Sequence, residues 1–277
     1  MKKIAIRLMA FAAIVFSAVA CNNEADKKAE VKEPVLKEEN VTYTADSVSM
    51  NGFVVYDESM EGARPAVLIV PEWWGLNDYA KMRARELAKL GYTAMAMDMY
   101  GNGKTAETPD SAGAAAGPFY QNPQMAKARM DAALAKLKSY PQTDTANVAA
   151  IGYCFGGAMV LNTARLGLGV KGVVSFHGNL VGTPLNKDLL KAKILVCHGA
   201  ADPFVPAAEV TTFKQQMDSA GITYTFKEYA DAVHAFTNPN ATAMGEKFKI
   251  PIKYNAAADT ASWNDMKEFF KTLFPGK

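Results

Sequence analysis

Cysteine and histidine are scarce in this chain: its 277 residues contain three of each. If Cys21 is modified, only Cys154 and Cys197 remain, and an oxidising compartment could pair them, but the motif around Cys154 needs a free thiol. The histidines, His177, His198 and His234, nowhere stand at metal-ligand spacing with a supporting carboxylate. Neither a metal nor another cofactor is therefore expected. Excess charge is missing too. The formal net charge is +2, it becomes −1 without Lys2, Lys3 and Arg7, and no basic stripe occurs elsewhere, so a nucleic-acid partner is not expected. What remains, 49% apolar and 21% charged residues, is an ordinary globular composition, and the length suits one α/β domain.

The N-terminus carries its own pattern. Lys2, Lys3 and Arg7 lead into an uncharged apolar stretch, Leu8 to Ala20, too short to span a bilayer comfortably. Residues 1–20 thus read as a secretory signal peptide. Ala18-Val19-Ala20-Cys21 resembles a bacterial lipoprotein lipobox, which implies that Cys21 becomes a lipidated first residue and a membrane anchor. Ala18-Val19-Ala20 equally suits an ordinary signal peptidase, which would leave a free periplasmic protein. Residues 21–40, rich in Glu, Lys and Ala with Pro34, read as the lipidated cysteine and a solvated tether. The globular domain is expected over 41–277.

Within that domain, Val41 to Thr44 and Val48 to Tyr56, around Asn51-Gly52, predict one or two short antiparallel lead-in strands. Ala66 to Val70 is a continuous apolar run ending at Pro71, as expected of a strand buried on both faces. Asn77 can cap a helix that stops at Gly91, and Tyr92 to Met97 is a further buried strand. Residues 100–122, rich in Gly, Ala and Pro, read as a long loop. Pro123 opens a helix through about Ser139. Val148 to Ile151, Val170 to Phe176, Lys193 to Cys197 and Thr223 to Tyr229 read as strands. Helices follow Cys154 and Pro206, and one from Thr260 or Ser262 ends the chain. Alternating strands and helices imply an α/β fold with a mainly parallel twisted sheet and helices on both faces.

The chemistry concentrates at Gly152-Tyr153-Cys154-Phe155-Gly156-Gly157, on a strand-to-helix junction. A nucleophile elbow needs small neighbours because the turn is tight and strains the residue at its apex. The helix N-terminus behind Cys154 favours a thiolate, and the Phe155 N–H is free to bind an oxyanion. Asp202 follows the Lys193–Cys197 strand, and His234 lies beyond the strand ending near Tyr229. Nucleophile, acid and histidine so ordered suit an α/β-hydrolase triad. Asp202 would fix the tautomer of His234 that faces Cys154. Pro71-Glu72-Trp73-Trp74-Gly75 follows the Ala66–Val70 strand, where this fold supplies a second oxyanion N–H, here from Trp73. Glu72 near a thiol could take its proton or simply form a salt bridge. Two adjacent indoles cannot both enter one core, so at least one should line the pocket, with Trp74 a candidate contact. His198 reads as structural, and His177 as either structural or at the edge of the site.

Together, Pro71 to Gly75, Gly152 to Gly157, the Asp202 loop and His234-Ala235-Phe236 resemble the dienelactone hydrolase family over about residues 41 to 275. The resemblance implies an α/β-hydrolase fold, Cys154 as nucleophile, Asp202 and His234 as its partners, and Glu72 as the group controlling the thiol's ionisation. It further implies a resting sulfur paired away from the histidine until substrate displaces Glu72. Family members bind a substrate carboxylate with two arginines. This chain has Asn102 and Asn238 at those places, with Lys104 a flexible substitute at most. Tyr100, Asn102, His177, Phe236 and Asn238 join Trp74 as candidate substrate contacts, and 237–259 could form a small lid. The expected activity is cleavage of a small ester or lactone through an acyl-cysteine. The alternatives are a carboxylesterase or thioesterase for neutral substrates, and a non-catalytic envelope lipoprotein on a vestigial hydrolase fold.

Overall fold

The computed structural model describes residues 33–276. The proposed signal peptide, Cys21 and most of the tether lie outside the described residues.

The central strand β3 (Arg64–Val70) shows how the sequence makes two cores. Successive side chains of a strand point to opposite faces. Ala66, Leu68 and Val70 therefore enter one apolar cluster, and Val67 and Ile69 the other. β5 (Thr143–Tyr153) repeats the division, with Val148 and Ala150 on one side and Ala149, Ile151 and Tyr153 on the other. The remaining strands are β1 (Leu36–Ala45), β2 (Val48–Asp57), β4 (Thr93–Ala96), β6 (Gly172–Phe176), β7 (Lys193–Gly199) and β8 (Tyr224–Tyr229). They form one sheet in the order β1-β2-β4-β3-β5-β6-β7-β8. β1 and β2, and β2 and β4, pair antiparallel; every other pair is parallel.

Helices α1 (Asp78–Lys89) and α7 (Ala256–Leu273) bury their apolar residues in the cluster of Val67 and Ile69. Helices α2 (Pro109–Gln121), α3 (Pro123–Lys138), α4 (Phe155–Arg165) and α5 (Ala207–Ser219) cover the opposite face. A short α6 (Ala241–Phe248) follows β8. The chain runs from β3 to β4 on one side and returns to β5 on the other. Strand order thus reverses between β3 and β5, and the crevice beyond their C-termini is where such sheets bind ligands.

Four expectations need correction. Residues 36–40 belong to β1 and not to a tether. Their charges suit an edge strand: Glu38 pairs with Arg85, and Glu39 accepts from the Tyr56 and Tyr140 hydroxyls. The lead-in strands are ten residues each, not short, and turn at Asp46-Ser47, both in the left-handed region. Asn51-Gly52 lies inside β2. Residues 109–121, read as loop, form α2; Thr108 and Ser111 make a reciprocal cap and Pro109 sits at its first turn. The last helix starts at Ala256, capped by Asn255, ahead of Thr260.

Candidate active site

Cys154 occupies the sharp bend between β5 and α4 with φ 54° and ψ −118°, a strained conformation for a residue with a side chain. Its neighbours allow the bend. A Cβ on Gly152 would overlap the Gly156 carbonyl, and one on Gly156 would overlap the Val70 and Pro71 carbonyls. Glycine at 156 thus lets the start of α4 rest against the end of β3, bringing the Glu72–Trp73 segment beside the bend.

The loops after β7 and β8 are stitched together. Ala200 N donates to the Tyr229 carbonyl at 2.9 Å, and Ala201 N to the Ala232 carbonyl at 3.0 Å. Asp202 and His234 are thereby set face to face, with His234 Nδ1 2.8 Å from Asp202 Oδ2 and Nε2 3.0 Å from Cys154 Sγ. Phe204 N donates to the other Asp202 oxygen at 2.9 Å. Burial alone would depress the His234 imidazolium, but the negative sulfur and the Asp202 carboxylate outweigh it and lift the ring to about 10.

The sulfur faces His234 and is not turned away from it, unlike the resting arrangement implied by resemblance. Among the described residues no hydrogen bond joins Glu72 to Cys154. Glu72 is buried, and its Oε2 accepts from Asn238 Nδ2 at 2.7 Å. Burial pushes its carboxyl up to about 7, against the pull of the Asn238 amide and of positive His234 and Arg83. An amide donor orients this carboxylate without neutralising it. The N–H groups of Trp73 and Phe155 are not engaged by any acceptor among the described residues.

A cavity of about 370 Å³ opens over Cys154 and His234. Glu72, Trp73 and Trp74 line one wall, and Gly113, Ala116, Gly117 and Tyr120 of α2 another. Asn179, Phe204, Ala235, Ile250 and Ile252 complete it; no lysine or arginine is among its lining residues. Both indoles reach the cavity, and Trp74 stacks on Phe248 of α6 with centroids 5.8 Å apart. Residues 237–259 thus contribute a wall, held by Lys253 N donating to the His234 carbonyl at 3.2 Å.

Of the expected substrate contacts, Trp74 lines the cavity and the others do not. The Tyr100 hydroxyl donates to the Trp73 carbonyl at 2.8 Å, so it braces the loop carrying Trp73. Asn102 is exposed in a left-handed turn and donates its N–H to Ser49, while Lys104 is exposed and also away from the cavity. Phe236 is wholly buried against His177 and Tyr229. Asn238 serves Glu72. His177 lies buried beneath the bend, where its Nδ1 accepts from the Cys154 N–H at 3.1 Å and its Nε2 sits 2.7 Å from Thr237 Oγ1. Burial, then the positive His234 and Arg83, hold His177 well below its usual value, so it stays neutral. His198 is buried with Nδ1 unpaired among the described residues, and Cys197 is a free, buried thiol pushed up to about 12.

Sequence reasoning missed the α2 wall, because that segment read as loop. It also missed Arg83, which reaches from α1 to donate to the Thr237 carbonyl at 2.6 Å. The missed signal for α2 was Thr108-Pro109 followed by Ser111.

Sheet order, bend and site together define an α/β-hydrolase. A sequence model of the dienelactone hydrolase family matches residues 50–274, and the chain belongs to that family. It is a dienelactone hydrolase-like carboxylic ester hydrolase, acting on esters or lactones. The solved dienelactone hydrolase-like promiscuous phosphotriesterase P91, from metagenomic libraries, superposes with a TM-score of 0.80 at 35% identity, covering 86% of this chain and 99% of P91. An uncharacterized protein of Caenorhabditis elegans is 36% identical over 152 residues, 53% of this chain and 94% of that protein. A Methylorubrum extorquens protein, provisionally named carboxymethylenebutenolidase, is 33% identical over 186 residues, 63% of this chain and 64% of that protein.

Proposed function

We propose that the chain hydrolyses neutral carboxylic esters by acyl transfer through Cys154, with His234 and Asp202 completing a triad. The observation that carries the reading is the Cys154–His234–Asp202 hydrogen-bonded series at the base of a cavity whose lining includes no cationic side chain besides His234. A substrate carboxylate would meet Glu72 there and no guanidinium, which favours a neutral ester over an anionic dienelactone.

The thiolate attacks the carbonyl carbon, and the displaced electron pair collects on the oxygen, facing the N–H groups of Phe155 and Trp73. Collapse breaks the bond to the leaving oxygen, which takes the proton from His234 Nε2 and departs as an alcohol. Neutral His234 then removes a proton from water as the water attacks the thioester. The acid leaves, and thiolate and imidazolium are restored together. Asp202 holds the imidazole in one tautomer throughout. Glu72, protonatable near neutrality, tunes the charge beside the sulfur.

The test is a pair of chromogenic esters differing only by a carboxylate on the acyl arm, with an acyl adduct sought on the Cys154 peptide by mass spectrometry. Faster cleavage of the neutral ester and an adduct on Cys154 are expected. Preference for the anionic ester, or an adduct confined to Cys197, would sink the proposal. The likeness to P91 favours a second substrate class for the same site. A neutral phosphotriester offers the same uncharged exterior and should phosphorylate Cys154 if it is accepted.

Export is part of the proposal. Lys2, Lys3 and Arg7, the Leu8–Ala20 stretch and Cys21 support an envelope protein anchored by lipid on Cys21. Replacing Cys21 with serine should then release the protein from the membrane fraction, and unchanged fractionation would contradict the anchor.

A further inference from the structure

We infer that helix α2 sets the size limit of the substrate: Gly113 and Gly117 are specificity-determining positions, leaving room for the extended apolar arm of a medium-chain neutral ester. The inference rests on the cavity being the ester-hydrolysing site proposed above.

Gly113, Ala116, Gly117 and Tyr120 are spaced as one face of a helix, and all four line the cavity that holds Cys154 and His234. The adjoining side of α2 is anchored in the core. Ala112 and Phe119 are buried, and the Phe119 ring packs 5.9 Å from both Phe155 and Tyr100. The cavity face is thus fixed relative to the bend at Cys154.

Glycine inside a helix is unfavourable relative to alanine, and α2 carries two in thirteen residues. Elsewhere in the site glycine has a packing reason, since side chains at 152 and 156 would overlap backbone. Here there is none. Neither Gly113 nor Gly117 has a left-handed φ, and apart from the chain neighbours and the helix's own backbone no atom of the described residues lies within 4 Å of a Cβ built on either. What their bareness provides is open cavity along about 10 Å of helix from 113 to 120. Tyr120 ends this trough, its ring edge-on to Phe155 at 5.6 Å and its hydroxyl 3.4 Å from Asn179 Oδ1. Phe204, Ile250 and Ile252 add apolar lining. The trough suits an unbranched hydrocarbon arm and offers a charged one no partner.

The experiment measures kcat/KM of the full chain on acetate, butanoate and octanoate esters of one chromogenic alcohol, for wild type, Gly113→Leu, Gly117→Leu and Tyr120→Ala. Leucine is a strong helix former with open space at both positions, so thermal unfolding of Gly113→Leu should not move downward; Gly117→Leu places a side chain before Pro118, and its own unfolding curve shows whether the fold is kept. The octanoate-to-acetate ratio should fall at least about tenfold in each leucine variant, the scale on which a hydrophobic pocket reads a few methylenes. In Tyr120→Ala the ratio should rise. Unchanged ratios in both leucine variants would overturn the inference. A wild type inert to all three esters defeats the catalytic reading instead, and the size limit is then read by alkylation. N-octyl iodoacetamide slowed relative to iodoacetamide at Cys154 in the leucine variants supports the trough, and equal rates for the two reagents refute it.

Discussion

The Asn238 side chain donates to Glu72 Oε2 at 2.7 Å, with both residues buried and Glu72 lining the cavity that also holds Cys154 and His234. A guanidinium in that place would bring a full positive charge and stabilise the ionised acid. An amide brings only a dipole, and desolvation prevails. The carboxyl rises from its ordinary 4.5 to about 7 and so titrates close to neutrality.

Glu72→Gln should therefore stabilise the fold in a pH-dependent way. The folded-state value is above the unfolded one, so the wild type has its greatest relative stability below pH 4.5 and loses it as pH rises through about 7. Urea unfolding should show the two proteins closest near pH 4.5 and Glu72→Gln ahead by up to roughly 3 kcal/mol above pH 7. A constant gap between the two curves would mean that Glu72 titrates alike in the folded and the unfolded chain.

Asp202→Asn removes the carboxylate held 2.8 Å from His234 Nδ1. The amide can present its own N–H to that nitrogen and favour the wrong tautomer. Turnover on a neutral ester should fall by about a hundredfold to ten-thousandfold. After Cys154, Asp202 is the second group that lifts His234 toward 10, and its loss should move an alkaline limb of kcat/KM to lower pH. A steady-state pH profile checks both, and full activity in the variant would remove Asp202 from the mechanism.

Tyr100→Phe isolates the brace on the oxyanion loop. The ring keeps its contacts with Phe119 and Phe155, and only the hydrogen bond to the Trp73 carbonyl disappears. Stability should change by about 1 kcal/mol or less. If the Trp73 N–H serves the transition state, kcat should fall by about tenfold or more with KM little changed, because misplacing one donor acts only there. An equal change in KM with kcat preserved would assign Tyr100 to ground-state binding.

The central strands and the bend were legible because their signals are local. An apolar run such as Ala66 to Val70 has one stable home, a strand buried on both faces, and glycines at 152 and 156 announce a turn that side chains forbid. Partners from distant strands were less visible. Tyr100 and Asn238 were expected to touch substrate and do not line the cavity, because spacing carries no information on which way a side chain turns. The first meets a backbone carbonyl and the second a carboxylate. Composition misled twice. Glu38 and Glu39 looked solvated but border a sheet edge, and the glycines of α2 looked like loop although Thr108 and Pro109 mark a helix start.

His177 offers a test with the opposite sign to Glu72. It is buried and neutral, accepting the Cys154 N–H on Nδ1 and meeting the Thr237 hydroxyl through Nε2. Its folded-state value lies well below the ordinary 6.5, because burial and the positive His234 and Arg83 all penalise its charged form. The unfolded chain then takes up a proton at this residue as pH falls below about 6.5 while the folded one does not, which costs up to about 1.4 kcal/mol of stability per pH unit. His177→Phe should be less stable at pH 8, since the Thr237 hydroxyl loses a buried partner. It should also lack this acid slope, so the wild-type advantage narrows between pH 6.5 and pH 5. Urea midpoints at half-unit pH steps measure the slope directly. A wild-type advantage that stays constant across that window would show that His177 gains its proton inside the folded protein, and the neutral imidazole beneath Cys154 would have to be abandoned.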